Sequence, residues 1–162
     1  METVRISNEK SELDISLICR FLSEHSGWAK GIPLATVQKA IEHSLCFGGY
    51  LGPEQVAFAR VISDYATFAN LVDVFVVPEY RGKGHSKAIM RAVVSHPELQ
   101  GLRRFTLATA DAHGLYAQFG FTALHKPQTF MERYFPSVYA PQPSIPADVP
   151  ASGASPLRQG RD

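Results

Sequence analysis

Cysteine is almost missing from this chain, which has only Cys19 and Cys46 among its 162 residues. Two thiols in apolar stretches are too few and too poorly spaced for a disulfide framework or a zinc site, so we expect both to be buried. No apolar run approaches the ~20 residues that span a bilayer, and the first residues lack the apolar core of a signal peptide. We therefore expect a cytoplasmic protein without membrane contact, and no spacing of His, Asp and Glu indicates a metal site.

An excess of charge of one sign is missing as well, since 16 Lys and Arg stand against 15 Asp and Glu. This balance excludes a protein that works mainly by binding nucleic acid through a basic surface. The two signs are separated along the chain: residues 1–80 contain six cations and ten acids, and residues 81–104 contain six cations and one acid. Such a separation suits a polyanionic cofactor on one side and a cationic substrate on the other, and a solvated basic helix face is the alternative.

Proline and small residues mark the end of the chain. Residues 136–162 hold six of the 11 prolines together with many Ala, Ser and Gln. A segment of this composition cannot bury enough apolar surface to offset the entropy lost on ordering. We therefore expect one folded domain over residues 1–135 and a flexible tail over residues 136–162.

The apolar periodicity predicts a mixed α/β domain with the element order β-α-α-β-β-β-α-β-α-β-β. Ser11 is the expected N-cap of the first helix. The strand at residues 67–77 ends in four consecutive apolar residues, as a strand covered on both faces does. The predicted strands are residues 3–7, 44–51, 55–62, 67–77, 104–110, 121–123 and 130–134, and the predicted helices follow Ser11 to residue 25 and cover residues 34–43, 85–96 and 111–119.

A turn with two glycines joins the long strand to the next helix. Glycines let the backbone approach a phosphate, and the first N–H groups of a helix carry the positive end of its dipole. The dinucleotide-binding fingerprint is excluded because Lys87 stands where its third glycine is required. The nucleoside triphosphatase loop is excluded because its four-residue spacing before Gly-Lys-Ser/Thr is missing.

Two motifs resemble those of the GNAT superfamily of N-acetyltransferases. Residues 76–86 read Val-Val-Pro-Glu-Tyr-Arg-Gly-Lys-Gly-His-Ser and resemble its acetyl-CoA motif, Gln/Arg-x-x-Gly-x-Gly/Ala, with Ser86 at the last position. Residues 115–121 read Leu-Tyr-Ala-Gln-Phe-Gly-Phe and resemble its second signature, Leu-Tyr-x-x-x-Gly-Phe; Ala112 also matches, and Thr109 stands where an asparagine is frequent. The resemblance covers residues 44–135 and implies the GNAT fold, with a splayed central sheet.

The resemblance also implies how acetyl-CoA is bound as a co-substrate. Its pantetheine amides are expected to pair with the backbone of Phe75, Val76 and Val77 at the edge of the splayed sheet. Its pyrophosphate is expected on the amides of the glycine turn. The residues implied for this turn are Arg81, Gly82, Lys83, Gly84, His85 and Ser86, with Thr109 and Ala112 as further cofactor contacts.

The implied reaction passes the acetyl group directly from sulfur to a primary amine of a small molecule or peptide. The departing thiolate needs a proton, and Tyr116 matches the acid tyrosine of the family, with a buried core aromatic as the alternative. Asp73 interrupts an apolar strand and is the first candidate for taking the ammonium proton through a water, with a buried acid held by a helix N-terminus as the alternative. Asp64, Glu79, His113 and water itself are further candidates for this base.

The acceptor site is predicted from the fold that the chain resembles. The loop between the first two helices and the hairpin strands point to aromatic walls at Trp28, Tyr50, Tyr65 and Phe68, which can attract an ammonium group. The sequence does not identify the amine. A catalytically silent acyl-CoA-binding sensor is the alternative function, nucleic acid is not an expected partner, and a homodimer formed through the last strand or the tail is an open alternative.

Overall fold

Five strands form one mixed sheet in the computed structural model of the chain, which describes residues 2–141. They lie side by side in the order of the sequence: β1 (Arg5–Ser7), β2 (Leu45–Leu51), β3 (Glu54–Ser63), β4 (Phe68–Val76) and β5 (Arg104–Leu107). Strands β1 to β4 are antiparallel to one another, and β5 is parallel to β4. The predicted mixed α/β fold class is therefore confirmed.

Four helices cover the sheet. They are α1 (Ile15–Arg20, continued by a π-helical segment at Phe21–His25), α2 (Leu34–Glu42), α3 (His85–Ser95) and α4 (His113–Ala117). Among the described helices, none is both long and apolar enough to cross a bilayer.

The N-cap predicted for α1 is wrong. Ser11 lies in a separate 3-10 turn, and Asp14 caps the helix by accepting the N–H of Leu17 at 2.9 Å. Aspartate caps a helix as well as serine does. A start after Asp14 leaves Leu13 in an extended conformation ahead of the helix, where its side chain is buried.

Both faces of the sheet are covered, which explains the continuous apolar run of β4. Helix α3 packs Ile89, Met90 and Val93 on one face. On the other face, Phe21 stacks on Phe75 of β4 with ring centroids 3.9 Å apart, within the cluster formed with α1 and α2. Apolar side chains on both sides of β4 thus hold this strand in the middle of the domain.

The two closing strands predicted at residues 121–123 and 130–134 are absent from the described structure. Residues 122–138 are exposed at every position, and their backbone–backbone hydrogen bonds close local turns such as the 3-10 helix Pro127–Thr129. β5 is also shorter than predicted and ends at Leu107. A β-prone sequence becomes a strand only where a neighbouring strand accepts and donates its hydrogen bonds, and these residues lie beside no such neighbour.

The predicted tail begins inside the described region. The segment 136–141 contains a turn in which Ala140 donates its N–H to Ser137, and Tyr139 is half-buried against the apolar cluster of α1 and α2. The remainder of the tail, residues 142–162, lies outside the described residues.

Candidate active site

Strands β4 and β5 separate and leave a cleft between them. They pair only where Phe68–Leu71 faces Arg104–Leu107. β4 then continues to Val76, whereas the chain beyond Leu107 leaves the sheet toward α4. The second half of β4 therefore presents a strand edge to the cleft, which can pair with an extended ligand that carries amide groups.

The backbone of β4 alternates across this edge. Val77 donates its N–H to the carbonyl of Val56 on β3 at 2.9 Å. Because successive residues of a strand direct their backbone groups to opposite sides, Val76 directs its groups toward the cleft and Phe75 directs its own toward β3. Arg81 reaches back and donates its Nε–H to the carbonyl of Val76 at 3.0 Å. Of the three residues predicted to pair with a ligand, Val76 is the one whose backbone faces the cleft.

A glycine turn follows β4 directly and opens on the N-terminus of α3. Gly82 and Gly84 adopt left-handed φ angles of 76° and 83°, a region that favours glycine. A Cβ built on either residue meets no heavy atom within 4 Å, so the space above the turn is open. Open space, amide groups at a helix start and the cations Arg81 and Lys83 together fit an anionic group such as a pyrophosphate.

The turn is attached to the sheet by Tyr80. Its hydroxyl donates to Glu54 Oε2 at 2.8 Å, and Lys83 Nζ lies 5.6 Å from the centre of its ring. His85 begins α3 with a buried imidazole whose Nε2 has no hydrogen-bond partner among the described residues. Ser86 is half-buried beside it.

Tyr116 lies on α4, on the side of the cleft opposite the glycine turn in the chain. Its side chain is 9% exposed and meets Phe121 edge-on, with centroids 6.2 Å apart. Burial, and secondarily the charge of Asp111, raises the pKa of Tyr116 above its usual value. The start of α4 is held by Thr109, whose Oγ1 accepts the N–H of Ala112 at 3.0 Å. Thr109 and Ala112 are thus joined to each other and to the helix that carries Tyr116.

Asp73 occupies a bulge of β4, where the pairing with β3 shifts register. Its φ of 53° is left-handed. Oδ1 accepts the indole N–H of Trp28 at 3.0 Å, and Oδ2 accepts Nε–H of Arg60 at 2.9 Å. Arg60 also donates to Ser44 Oγ at 3.0 Å, and the Asp73 and Arg60 side chains are only 9% and 15% exposed. Asp73 is therefore an ion-paired carboxylate between β3 and the loop after α1.

Arg60 was not singled out by the sequence analysis, although a signal was present. It is the one charged residue inside the apolar run 56–62, as Asp73 is inside the run 71–77. The β3–β4 hairpin register, which pairs Ser63 with Ala69, places Arg60 opposite Val72 and next to Asp73. Two lone opposite charges on adjacent strands indicate an ion pair.

Of the aromatic residues predicted for the acceptor site, the structure brings only Trp28 to Asp73. Tyr50 is buried on β2, with the Arg5 guanidinium 4.7 Å from its ring centre. Tyr65 and Phe68 lie at the β3–β4 turn, at the end of β4 opposite Val76. A run of eight residues in a strand measures roughly 25 Å, so these two rings are far from the glycine turn.

The other acids and the histidine proposed as bases lie apart from Asp73. Asp64 accepts the N–H groups of three residues in the β3–β4 turn and the hydroxyl of Thr67, and these hydrogen bonds hold its pKa well below the usual range. Glu79 is exposed in the turn after β4, and His113 is exposed at the start of α4.

Neither thiol resembles a catalytic nucleophile. Cys46 is buried in β2, and burial raises its pKa to about 11, so the thiol stays protonated at neutral pH. Cys19 is half-buried on α1. Within residues 2–141, no three His, Cys, Asp or Glu side chains are grouped closely enough to hold a metal ion.

Comparisons with known proteins agree with this geometry. The model of the Acetyltransferase (GNAT) family matches residues 16–121. The chain is 30% identical over 135 residues to a protein of Gibberella zeae named as an acetyltransferase, and the match covers 70% of this chain and 75% of that protein.

Solved structures share the fold. A crystal structure from Xanthomonas campestris pv. campestris, named as an acetyltransferase of the GNAT family, has a TM-score of 0.85 at 64% identity and covers 87% of this chain and 99% of its own. A structure from Staphylococcus aureus, at 21% identity and a TM-score of 0.65, shows the fold alone. The family model spans more than half of the chain, including β4, the glycine turn and α4, and the chain belongs to the GNAT family of acetyltransferases.

Proposed function

We propose that the protein transfers an acetyl group from acetyl-CoA directly to a primary amine of a small molecule or peptide. One observation carries the proposal: the free edge of β4 runs directly into a glycine turn at the N-terminus of α3. An amide-pairing edge and an anion-binding turn in one line match a ligand with an amide chain and a pyrophosphate. The thioester is the chemistry that this ligand supplies when bound.

The binding residues follow from the contacts around the cleft. The backbone of Val76 is the proposed partner of a pantetheine amide, in the place where Arg81 now donates to its carbonyl. The amides of residues 81–86 and the positive end of the α3 dipole are proposed to hold the pyrophosphate. Lys83 and Lys87 are exposed beside them and add attraction for the phosphate charges.

Tyr116 is the proposed proton donor to the departing thiolate. A thiol has a pKa near 8.5, and the pKa of Tyr116 is raised above its usual 10.0 by burial and by Asp111. The tyrosine hydroxyl therefore carries its proton throughout the neutral range. It can give that proton to the sulfur as charge develops there, and recover one from solvent afterwards.

Trp28 is the proposed wall of the acceptor site. Its indole is 58% exposed, yet its N–H is held by Asp73, so the ring keeps one orientation at the rim of the sheet. An aromatic face presented in this way attracts an ammonium group. The carboxylate of Asp73 beneath it adds negative charge to the same place.

The contacts of Asp73 favour a positioning role over the proton-accepting role. Each of its oxygens already accepts a hydrogen bond, one from Trp28 and one from Arg60. Protonation of Asp73 would cost its ion pair with the largely buried Arg60. We propose that water takes the ammonium proton, and that Asp73 holds Trp28 and the β4 bulge in place.

The catalytically silent alternative rests on the same observation. A carboxylate engaged in an ion pair leaves the cleft without a free base near Trp28, as in a module that binds acyl-CoA and reports on it. Acetyl-CoA binding is expected in both cases, so the two functions differ only in turnover. The cytoplasm is the proposed setting, and the two free cysteines agree with a reducing compartment.

The first prediction concerns turnover and Tyr116. With acetyl-CoA and a panel of small amines, amino acids and peptides, we expect release of free CoA thiol that depends on one class of amine. Tyr116→Phe should lower turnover roughly tenfold or more with little change in acetyl-CoA affinity, because only the proton donor is lost. Thiol release and calorimetric binding measure the two quantities.

Tyr65→Phe is the matched control, since it removes the same hydroxyl from an exposed tyrosine far from the cleft. It should leave both quantities unchanged. Binding of acetyl-CoA without release for any amine would support the silent module. Failure to bind acetyl-CoA would contradict both functions.

A further inference from the structure

The outer edge of β5 has no neighbouring strand in the described structure. β5 is the last strand of the sheet and pairs only with β4. A groove of about 950 Å³, which we call the edge groove, runs along this free side. Apolar side chains line much of it: Phe105, Leu107, Tyr116, Phe119, Phe121 and Leu124. An unpaired strand edge above an apolar groove is a template for a strand from elsewhere.

The same chain carries an extended segment that has no strand partner. In this arm, residues 122–138, every residue is exposed. Its apolar stretch contains Phe130, Met131, Tyr134 and Phe135, which are 41%, 98%, 71% and 60% exposed. Neighbouring exposed apolar residues of this kind mark an interaction site, and residues 130–134 have the composition of a strand.

Both ends of the arm are attached to its own domain. At the start, Phe121 meets Phe105 edge-on, with centroids 5.4 Å apart. Beyond the arm, Tyr139 is half-buried against the α1–α2 cluster, and its carbonyl lies so close to Gly31 that a Cβ there would approach it to 3.0 Å. Between these points Phe130 lies over the Arg104 guanidinium at 4.8 Å, at the end of β5. The attachments hold the apolar stretch outside its own edge groove.

We propose that the apolar stretch of the arm pairs with β5 in the edge groove of a second copy of this chain, and that the exchange is reciprocal. Each copy then supplies the strand that the other lacks. Tyr116 lies in the wall of the edge groove, so the arm of one copy lies beside the Tyr116 of its partner. The proposal rests on β5 and the arm, and it does not depend on acetyl transfer.

The area available is enough for a stable dimer. Large side chains such as aromatics bury 150–250 Å² each, so at their observed exposures the four apolar residues offer on the order of 500 Å² per arm. With an equal area from the groove and two arms in the pair, the total is about 2,000 Å², in the range of homodimer interfaces. The backbone hydrogen bonds of two added strands contribute as well.

The test measures the mass of the full chain in solution by size exclusion with light scattering. We expect a particle of twice the 17.8 kDa of one chain. Met131→Glu on the arm and Leu124→Glu in the groove should each give monomers, because a carboxylate is then buried without a partner. Both residues are exposed within one chain, so both variants should fold, as circular dichroism checks.

Leu34→Glu is the matched control on α2, where a similarly exposed residue lies outside both surfaces, and it should stay dimeric. An equimolar mixture of the Met131 and Leu124 variants should form dimers again, because the intact arm of one meets the intact groove of the other. A monomeric natural chain, dimeric arm and groove variants, or a mixture that stays monomeric would each overturn the proposal.

Discussion

Asp73 combines an unfavourable backbone angle with a charge that is almost buried. Its left-handed φ of 53° is one that Asp and Asn tolerate better than most residues. Its carboxylate neutralises Arg60, whose side chain is 15% exposed. An aspartate in this position is therefore understandable from local structure alone, whatever its part in acetyl transfer.

A second prediction separates the structural role of Asp73 from a catalytic one. Asp73→Ala should lower the free energy of unfolding by about 3 kcal/mol, because Arg60 is left as an unpaired charge. Arg60→Met combined with Asp73→Ala should recover part of this loss, since both charges are then gone. Urea unfolding of the two single variants and the double variant measures the coupling; strictly additive losses would contradict an ion pair that matters for stability.

The pH dependence of Asp73→Asn completes this test. Asparagine keeps an oxygen for Trp28 and tolerates the same φ. If the carboxylate took the ammonium proton, a higher pH would restore the rate of this variant, because the amine would lose its proton to solvent. We expect the rate of the variant relative to the natural chain to be the same at each pH, as a positioning role requires.

At the scale of elements, β4, the glycine turn and α3 form one unit whose shape depends on two left-handed glycines. Gly84 stands just before α3 with a φ of 83°, and Gly101 stands before β5 with a φ of 73°. Neither has a heavy atom within 4 Å of an added Cβ. The two positions therefore differ in location and not in strain.

The third prediction uses this match. Gly84→Ala and Gly101→Ala should each lower the free energy of unfolding by roughly 1 kcal/mol, the cost of a left-handed non-glycine residue. Only Gly84→Ala should weaken acetyl-CoA binding, by about tenfold or more, which corresponds to 1.4 kcal/mol. Urea unfolding and calorimetry measure the two effects, and equal affinities in the two variants would remove Gly84 from the proposed binding turn.

Element prediction was accurate where a helix or strand packs on the core and wrong where a strand needs a partner. The strand ending in Val74, Phe75 and Val76 is found because both its faces are covered. The stretch 130–134 has a similar β-prone composition, yet it forms no strand in the described structure because no neighbour completes its hydrogen bonds. Local composition does not tell these two cases apart.

At the scale of the whole molecule, the free β5 edge and the exposed arm make stability a matter of concentration. A dimer that forms only in the folded state stabilises that state by mass action. The fourth prediction is therefore a melting temperature that rises with protein concentration, by roughly 1–3 °C for each tenfold increase. Scanning calorimetry over two decades of concentration measures it, and Met131→Glu should make the melting temperature constant.

Local patterns were sufficient for the fold class, for most element boundaries within a few residues, and for the two motifs that resemble the GNAT superfamily. These features depend on residues close in the sequence: an apolar period, a glycine turn, a tyrosine on a short helix. The catalytic and cofactor roles assigned to those motifs remain predictions for the experiments above.

The tertiary structure decided which distant residues meet. It brought Trp28 and Arg60 to Asp73, and it left Tyr65 and Phe68 at the far end of β4. It also left the β5 edge open and the arm exposed. Such contacts depend on strand register, bulges and loop paths, which arise from packing across the whole sheet; local sequence therefore specifies the elements, and only the folded chain specifies their partners.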